Sequence, residues 1–173
     1  MKARRIGTVI AVIILLSLLM YMAFTYNRLP ERIAIHFGPQ NKPNQWAEKS
    51  SFFLWFPILV LGLNILDLVI LPKLTSKIPH SAMNIPWKKY WFAEPERKFE
   101  AIQRINAILS FSALFVNIIF LFAYHIIYLE NIPNPPYHIP YSTGLYFIFG
   151  ITLVFLVFVF LYLIVSFKPL KVR

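Results

Sequence analysis

Four long apolar segments constrain the fold of this chain more than any other feature. They cover about 6–26, 52–71, 105–129 and 144–167, and each has at least 20 residues. A helix of that length is about 30 Å long, which matches the hydrocarbon thickness of a bilayer. The chain is 58% hydrophobic and 14% charged, so it has too little polar surface to cover such helices in water. We therefore predict an all-α membrane protein with four transmembrane helices, in a single membrane domain over 1–173.

The distribution of lysine and arginine predicts the orientation of these helices. Thirteen of the 17 basic residues lie in the N-terminal tail, the loop 72–104 and the C-terminal tail, which ends with Lys171 and Arg173. The loop 27–51 has four. Because basic loops stay in the cytoplasm, we expect both termini and the loop 72–104 inside, and 27–51 outside. The net charge of +10 then reflects topology and attraction to the lipid bilayer, and it does not indicate a nucleic-acid partner.

The outer loop 27–51 contains an alternating pattern and a turn. Apolar side chains alternate with small or polar ones from Arg32 to Phe37, which predicts a short half-buried strand. Gly38 to Asn44 is rich in turn-forming residues, and Asn41 within it tolerates a positive φ. This loop therefore has more order than a simple connection between two membrane spans.

The inner loop 72–104 also has internal order. Tryptophan and tyrosine at 87–91 suit the headgroup level of a membrane, so 86–92 is predicted to lie in the inner interface, with a peptide-binding role as the alternative. Glu94-Pro95-Glu96 is typical of a helix start. We expect a helix that begins near Pro95 and continues directly into the third span.

Several of these loop residues resemble a known family. The pattern Leu-Pro-x-x-Ile-x-x-His-Phe, a turn, and Pro-Asn-x-Trp-x-x-Lys is similar to the domain of unknown function 1648 family, a group of prokaryotic multi-pass membrane proteins. The outer-loop residues that match are Leu29, Pro30, Ile33, His36, Phe37, Pro43, Asn44, Trp46 and Lys49. The inner-loop residues that match are Asn84, Pro86, Tyr90, Trp91 and Arg97.

The resemblance implies a location and a class of function. It places the chain in the bacterial cytoplasmic membrane. It also relates the chain to the N-terminal module of SdpI-type immunity proteins, which protect their producer from a secreted peptide toxin. The longer chain and second module of those immunity proteins are missing from this sequence.

Polar residues inside the spans are the other candidate site, because they are costly in lipid. We expect Asp67 in the second span to pack toward Arg104 or Asn106, as a structural pair or as an ion or proton site. In the third span, Asn106, Ser110, Ala113 and Asn117 share one helix face that suits close helix packing. The intramembrane polar set is Asn64, Asp67, Asn106, Asn117 and His125.

The sequence carries no signature of an enzyme or a cofactor site. Serine-hydrolase, zinc-protease and phosphate-loop motifs are absent, so no catalytic residue is predicted. His36, His125 and His138 fall on the outer side, but their spacing is not that of metal ligands. No metal and no other cofactor is predicted.

Two functions remain open at this point. The first is a non-enzymatic membrane protein that senses or resists an outer ligand, such as a peptide toxin, through residues 29–49. The second is a small transporter or transport-complex subunit that uses Asp67 and the face of Asn106 and Asn117. The oligomeric state and a membrane-protein partner are also left open by the sequence.

Overall fold

The computed structural model describes residues 2–38 and 42–169, and it is mostly helical. The helices are α1 (Lys2–Thr25), α2 (Lys49–Ile65), α3 (Leu71–Thr75), α4 (Lys88–Trp91), α5 (Pro95–Asn131) and α6 (Tyr141–Phe167). Two strands, β1 (Arg32–Phe37) and β2 (Pro43–Glu48), form an antiparallel hairpin between α1 and α2. Asn41, Lys171 and Arg173, on which parts of the turn and charge predictions depend, lie outside the described residues.

Within residues 2–38 and 42–169, four helices are long and apolar enough to cross a membrane, which confirms the predicted fold class. They cover Lys2–Arg28, Lys49–Thr75, Pro95–Asn131 and Thr143–Phe167. Each extends beyond the apolar segment seen in the sequence, because basic and polar residues at the ends also adopt helical geometry. The second span contains one π-helical segment, Leu66–Ile70, between α2 and α3.

Helix α5 is the centre of the bundle. It begins at Pro95, as the proline and its flanking acids predict, and has 37 residues. At 1.5 Å per residue it is about 55 Å long, so it extends well beyond the hydrocarbon thickness. Both the hairpin and the other three spans pack against it.

Small residues allow α1 to approach α5 closely. A Cβ atom added to Gly7 would lie 2.6 Å from the Ser110 Oγ atom. Ala11, Ala107 and Ala113 are also buried along this contact. Close approach of small residues is a common way for membrane helices to associate without a hydrophobic driving force.

Helix α6 packs on the other side of α5 through aromatic rings. Phe122 stacks on Phe147 with ring centroids 3.7 Å apart. Phe111 and Phe158 make an edge-to-face contact at 4.9 Å. None of the most apolar stretch of α6 is buried within the protein, so its remaining faces are suited to lipid.

The two ends of the bundle differ in structure. We call the end that carries β1, β2 and residues 132–140 the hairpin end, and the end that carries the start of α1, α3 and α4 the basic end. Most of the main apolar core lies toward the hairpin end, with Phe52, Phe56 and Tyr124 among its largest side chains. A second cluster at the basic end contains Trp91, Ala101 and Phe167.

Candidate ligand-binding site at the hairpin end

The outer-loop motif forms the hairpin and its attachment to α2. Lys49 is 6% exposed, and its ammonium group donates a 3.1 Å hydrogen bond to the Leu29 carbonyl oxygen. The same group makes a 2.8 Å ion pair with Glu31 and lies over the Tyr26 ring. The two ends of the motif, Leu29 and Lys49, are therefore joined directly at the base of the hairpin.

The remaining motif residues meet across the two strands. His36 Nδ1 and Asn44 Oδ1 are 2.5 Å apart, and Phe37 is paired with Pro43. Trp46 is half exposed opposite Ala34. Of the last two motif residues, Ile33 is buried in the main core, as Leu29 is, whereas Pro30 is exposed.

The register of the hairpin is irregular at Ile35. Ala34 pairs with Trp46 and His36 pairs with Gln45, which leaves Ile35 without a direct partner on β2. A bulge of this kind redirects side chains near binding surfaces. The alternation predicted for this strand is correct except at Ala34, which is 1% exposed because α5 covers the adjacent strand edge.

Asn131, the last residue of α5, clamps the free edge of β1. Its Oδ1 atom accepts a 2.7 Å hydrogen bond from the Ala34 amide, and its Nδ2 atom donates a 2.8 Å bond to the Ala34 carbonyl. The same Nδ2 atom donates to the Ile127 carbonyl at 2.7 Å. This side chain thus replaces a third strand and fixes the hairpin on the helix end.

A cleft lies between the clamped strand and the adjacent ends of α5 and α6. It has a volume of about 300 Å³ and mostly apolar walls. Ile35 and Phe37 contribute from β1, Ile127 from α5 and Leu145 from α6. Glu130 also lines it, with an 11% exposed side chain that lies 3.5 Å from His138.

A network of aromatic hydroxyl groups lies beneath the hairpin. His125 Nδ1 is 2.8 Å from the Tyr21 hydroxyl, and its Nε2 is 2.8 Å from the Tyr137 hydroxyl. The Thr25 and Tyr124 hydroxyls are 2.5 Å apart and buried. Both ring nitrogens of His125 are therefore engaged within the protein.

The intramembrane amides form a reciprocal pair in the middle of the bundle. Asn64 Nδ2 donates to Asn117 Oδ1 at 2.7 Å, and Asn117 Nδ2 donates back to Asn64 Oδ1 at 3.0 Å. Asn117 also donates to the Ala11 carbonyl of α1 at 2.9 Å. Asn117 thus joins α1, α2 and α5. The residues Asn106, Ser110 and Ala113, which share its face of α5, are also buried.

The expected partner of Asp67 is wrong. The carboxyl group of Asp67 faces the Ser112 hydroxyl on α5. Arg104 instead pairs with Glu100 on its own helix and lies over the Trp91 ring. The prediction rested on similar depth in the membrane, and Asp67 lies in the π-helical turn Leu66–Ile70, whose effect on side-chain direction depth does not show.

The inner-loop motif is divided between the protein interior and its surface. Trp91 is fully buried, and its Nε1 atom donates a 2.6 Å hydrogen bond to the Phe167 carbonyl at the end of α6. Arg97 stacks on the Tyr90 ring at 4.3 Å. Asn84 is exposed and Pro86 is half-buried. Trp91 thus has a packing role that its membrane-interface composition did not indicate.

The comparison with family models covers the hairpin and the two spans beside it. Residues 12–61 match the family model described as Domain of unknown function (DUF1648). The DUF1648 segment includes the second half of α1, the whole hairpin and most of α2, and so confirms the resemblance noted for the outer loop. The similarity noted at 84–97 lies beyond it and stays a prediction.

Comparisons with curated proteins and with solved structures identify no similar protein. Within the described residues, no group of three or more His, Cys, Asp or Glu side chains is placed to hold a metal ion. The chain is thus a multi-pass membrane protein with a DUF1648 segment, and the cleft beside that segment is its candidate site.

Sequence reasoning missed Asn131 and Glu130. Both follow the third apolar segment immediately and precede Ile132-Pro133. Polar residues are common at the end of a membrane helix, so their presence here did not indicate a functional site. Only the contact of Asn131 with Ala34, which is 97 residues away, identifies its function.

Proposed function

We propose that this chain is a non-enzymatic membrane protein that binds an amphipathic outer ligand, such as a membrane-active peptide, at its hairpin end. In this proposal it resides in the bacterial cytoplasmic membrane with both termini inside. The asymmetry of basic residues supports that orientation, since the hairpin end then faces outward.

The observation that carries the proposal is the cleft beside β1. A pocket of about 300 Å³ with apolar walls is of the size that small ligands or a few side chains occupy. Its wall contains Ile35 and Phe37 from the DUF1648 segment, which the Asn131 clamp holds against α5. The family-like part of the chain thus forms one side of a preformed site.

The charge at the cleft favours a basic ligand. The Glu130 carboxylate lies in the lining, and the exposed imidazole of His138 is 3.5 Å away from it. A lysine or N-terminal amine of a ligand can make a shorter contact with the carboxylate than this one. Apolar walls with one carboxylate match an amphipathic cationic peptide.

A binding measurement tests the proposal. The probe is a fluorescent 18-residue helical peptide of leucine and lysine, titrated onto the full chain in lipid nanodiscs against empty nanodiscs. Ile35→Trp fills the cleft and should weaken binding at least about tenfold. Leu153→Trp, on an exposed face of α6 away from the cleft, is the matched control. Equal binding by wild type and Ile35→Trp would refute the assignment.

A cell experiment tests the biological role. A strain that lacks the gene should become more sensitive to membrane-active peptides, and the wild-type gene should restore resistance. His36→Ala or Trp46→Ala should fail to restore it while the protein still inserts into the membrane. Restoration by both variants would contradict a role for the outer loop.

One observation favours transport as a second candidate function. Asp67 is a half-buried acid within the span Lys49–Thr75, in a π-helical turn, and such turns are frequent at functional sites. If the chain is a transporter, Asp67→Asn abolishes ion or substrate flux in proteoliposomes while Ile35→Trp leaves it unchanged. The reverse pattern, with peptide binding lost only in Ile35→Trp, supports ligand binding at the hairpin end.

A further inference from the structure

A second cavity lies at the basic end and is unrelated to the hairpin site. It has a volume of about 390 Å³ and lies between the start of α1, the π-helical turn with α3, and α5. Arg4, Lys73, Ser76, Gln103 and Asn106 supply its polar lining. Three elements distant in sequence therefore converge on one cavity that has both polar and apolar walls.

Asn106 provides a polar atom without a partner. The residue is 3% exposed, and its Oδ1 atom is buried and accepts no hydrogen bond from the described residues. A buried carbonyl oxygen without a hydrogen bond destabilises a folded protein, so such an atom usually indicates a missing donor. The terminal torsion of asparagine is soft, which lets the amide turn toward a donor in the cavity.

The charge of the cavity lining favours an anion. Arg4 and Lys73 both line it, and within 2–38 and 42–169 neither forms an ion pair with an acidic side chain. Arg4 comes from the first turn of α1 and Lys73 from α3, so they approach the cavity from two elements. A single lipid phosphate, with its one negative charge, would be attracted by both side chains.

The rim of the cavity is apolar on its outer side. Val69 and Phe99 line it and are 43% and 58% exposed, respectively. In a membrane protein such side chains contact acyl chains. A ligand that combines an anionic polar group with hydrocarbon fits this cavity better than a free anion does.

We propose that this cavity binds the headgroup of an anionic phospholipid that carries a hydroxyl group, of the phosphatidylglycerol type. The phosphate lies between Arg4 and Lys73, a headgroup hydroxyl donates to Asn106 Oδ1, and an acyl chain follows Val69 and Phe99. A phosphatidylethanolamine headgroup is disfavoured, because its ammonium group would lie beside two cations.

Native mass spectrometry of the full chain in detergent, titrated with single lipids, tests this assignment. Wild type should bind phosphatidylglycerol about fivefold more tightly than phosphatidylmethanol, which has the same charge and no hydroxyl, because one hydrogen bond is lost. Asn106→Leu should remove this difference and keep the preference for both lipids over phosphatidylethanolamine.

Charge variants test the phosphate contact independently of the buried amide. Lys73→Gln changes an exposed side chain and should weaken phosphatidylglycerol binding about fivefold, and Arg4→Gln should do the same. Lys77→Gln, an exposed lysine of the same end that does not line the cavity, should change it little. An equal loss in Lys77→Gln would overturn the proposal in favour of general surface attraction.

Two further results would overturn it. Equal affinity of wild type for phosphatidylglycerol and phosphatidylmethanol would exclude the hydroxyl contact with Asn106. Displacement of bound lipid by glycerol 3-phosphate or inorganic phosphate at similar concentrations would assign the cavity to a soluble phosphate. None of these readouts depends on peptide binding at the hairpin end, so the two proposals can fail separately.

Discussion

Replacing Asn131 with leucine should loosen the hairpin without unfolding the bundle. Leucine has a similar volume but cannot make either hydrogen bond to Ala34. At about 1 kcal/mol for each neutral hydrogen bond, the docking of β1 loses about 2 kcal/mol. The hairpin stays attached through Ile33 and Leu29, which remain buried in the core. The expected result is therefore local opening of the strand edge.

Hydrogen exchange at the Ala34 amide measures this opening directly, because that amide donates to Asn131 in the wild type. A loss of about 2 kcal/mol corresponds to about 30-fold faster exchange. Asn44→Leu is the control, since it breaks the contact with His36 on the exposed side and leaves the clamp intact. Exchange at Ala34 within threefold of wild type in Asn131→Leu would refute the view that this side chain holds the hairpin.

Three further substitutions test the packing of the bundle. Asn117→Leu removes three interhelical hydrogen bonds and should destabilise the protein by about 2 kcal/mol in a bicelle unfolding assay, and the effect should be less than additive with Asn64→Leu. Gly7→Leu should lower the free energy of unfolding by at least about 1–3 kcal/mol, because the larger side chain overpacks against α5. Gly150→Leu should change it little, because that position faces open space. Trp91→Phe should lower the free energy of unfolding by about 1 kcal/mol, because the hydrogen bond to the Phe167 carbonyl at the end of α6 is lost. Proteolysis near the end of α6 should increase for the same reason.

Each of these has a result that would contradict it. Full additivity of the two asparagine variants would mean that their amides do not interact. Equal destabilisation by leucine at positions 7 and 150 would show that α1 and α5 are not in close contact at Gly7. Unchanged proteolysis in Trp91→Phe would mean that packing of an aromatic ring at position 91, and not the hydrogen bond to Phe167, holds the end of α6.

The architecture could be predicted because lipid imposes a simple rule on sequence. A segment must be long, apolar and helical to cross the membrane, so length and composition alone located the four spans. The start of α5 was predictable for a similar reason, since Pro95 between two acids has a local preference that needs no tertiary contact.

The details of the sites could not be predicted because they depend on contacts between distant residues. The clamp joins Asn131 to Ala34, and the buried indole of Trp91 joins the inner loop to Phe167. Asp67 shows a second cause of error. Its partner was predicted from the similar depth of Arg104 and Asn106 in the membrane, and depth does not show which way a side chain in a π-helical turn points. Neither long-range contacts nor a π-helical turn can be recognised from composition or periodicity.

The packing of the two walls of the hairpin cleft predicts how a ligand would be accommodated. The wall formed by β1 and α5 is held by the Asn131 clamp and by the close contact of α5 with α1. The opposite wall belongs to α6, which contacts the rest of the bundle mainly through aromatic rings on α5. Moving β1 would break the two hydrogen bonds of the Asn131 clamp, whereas moving this end of α6 would break ring contacts such as Phe122–Phe147. A ligand larger than the cleft should therefore displace α6 and leave the DUF1648 hairpin in place.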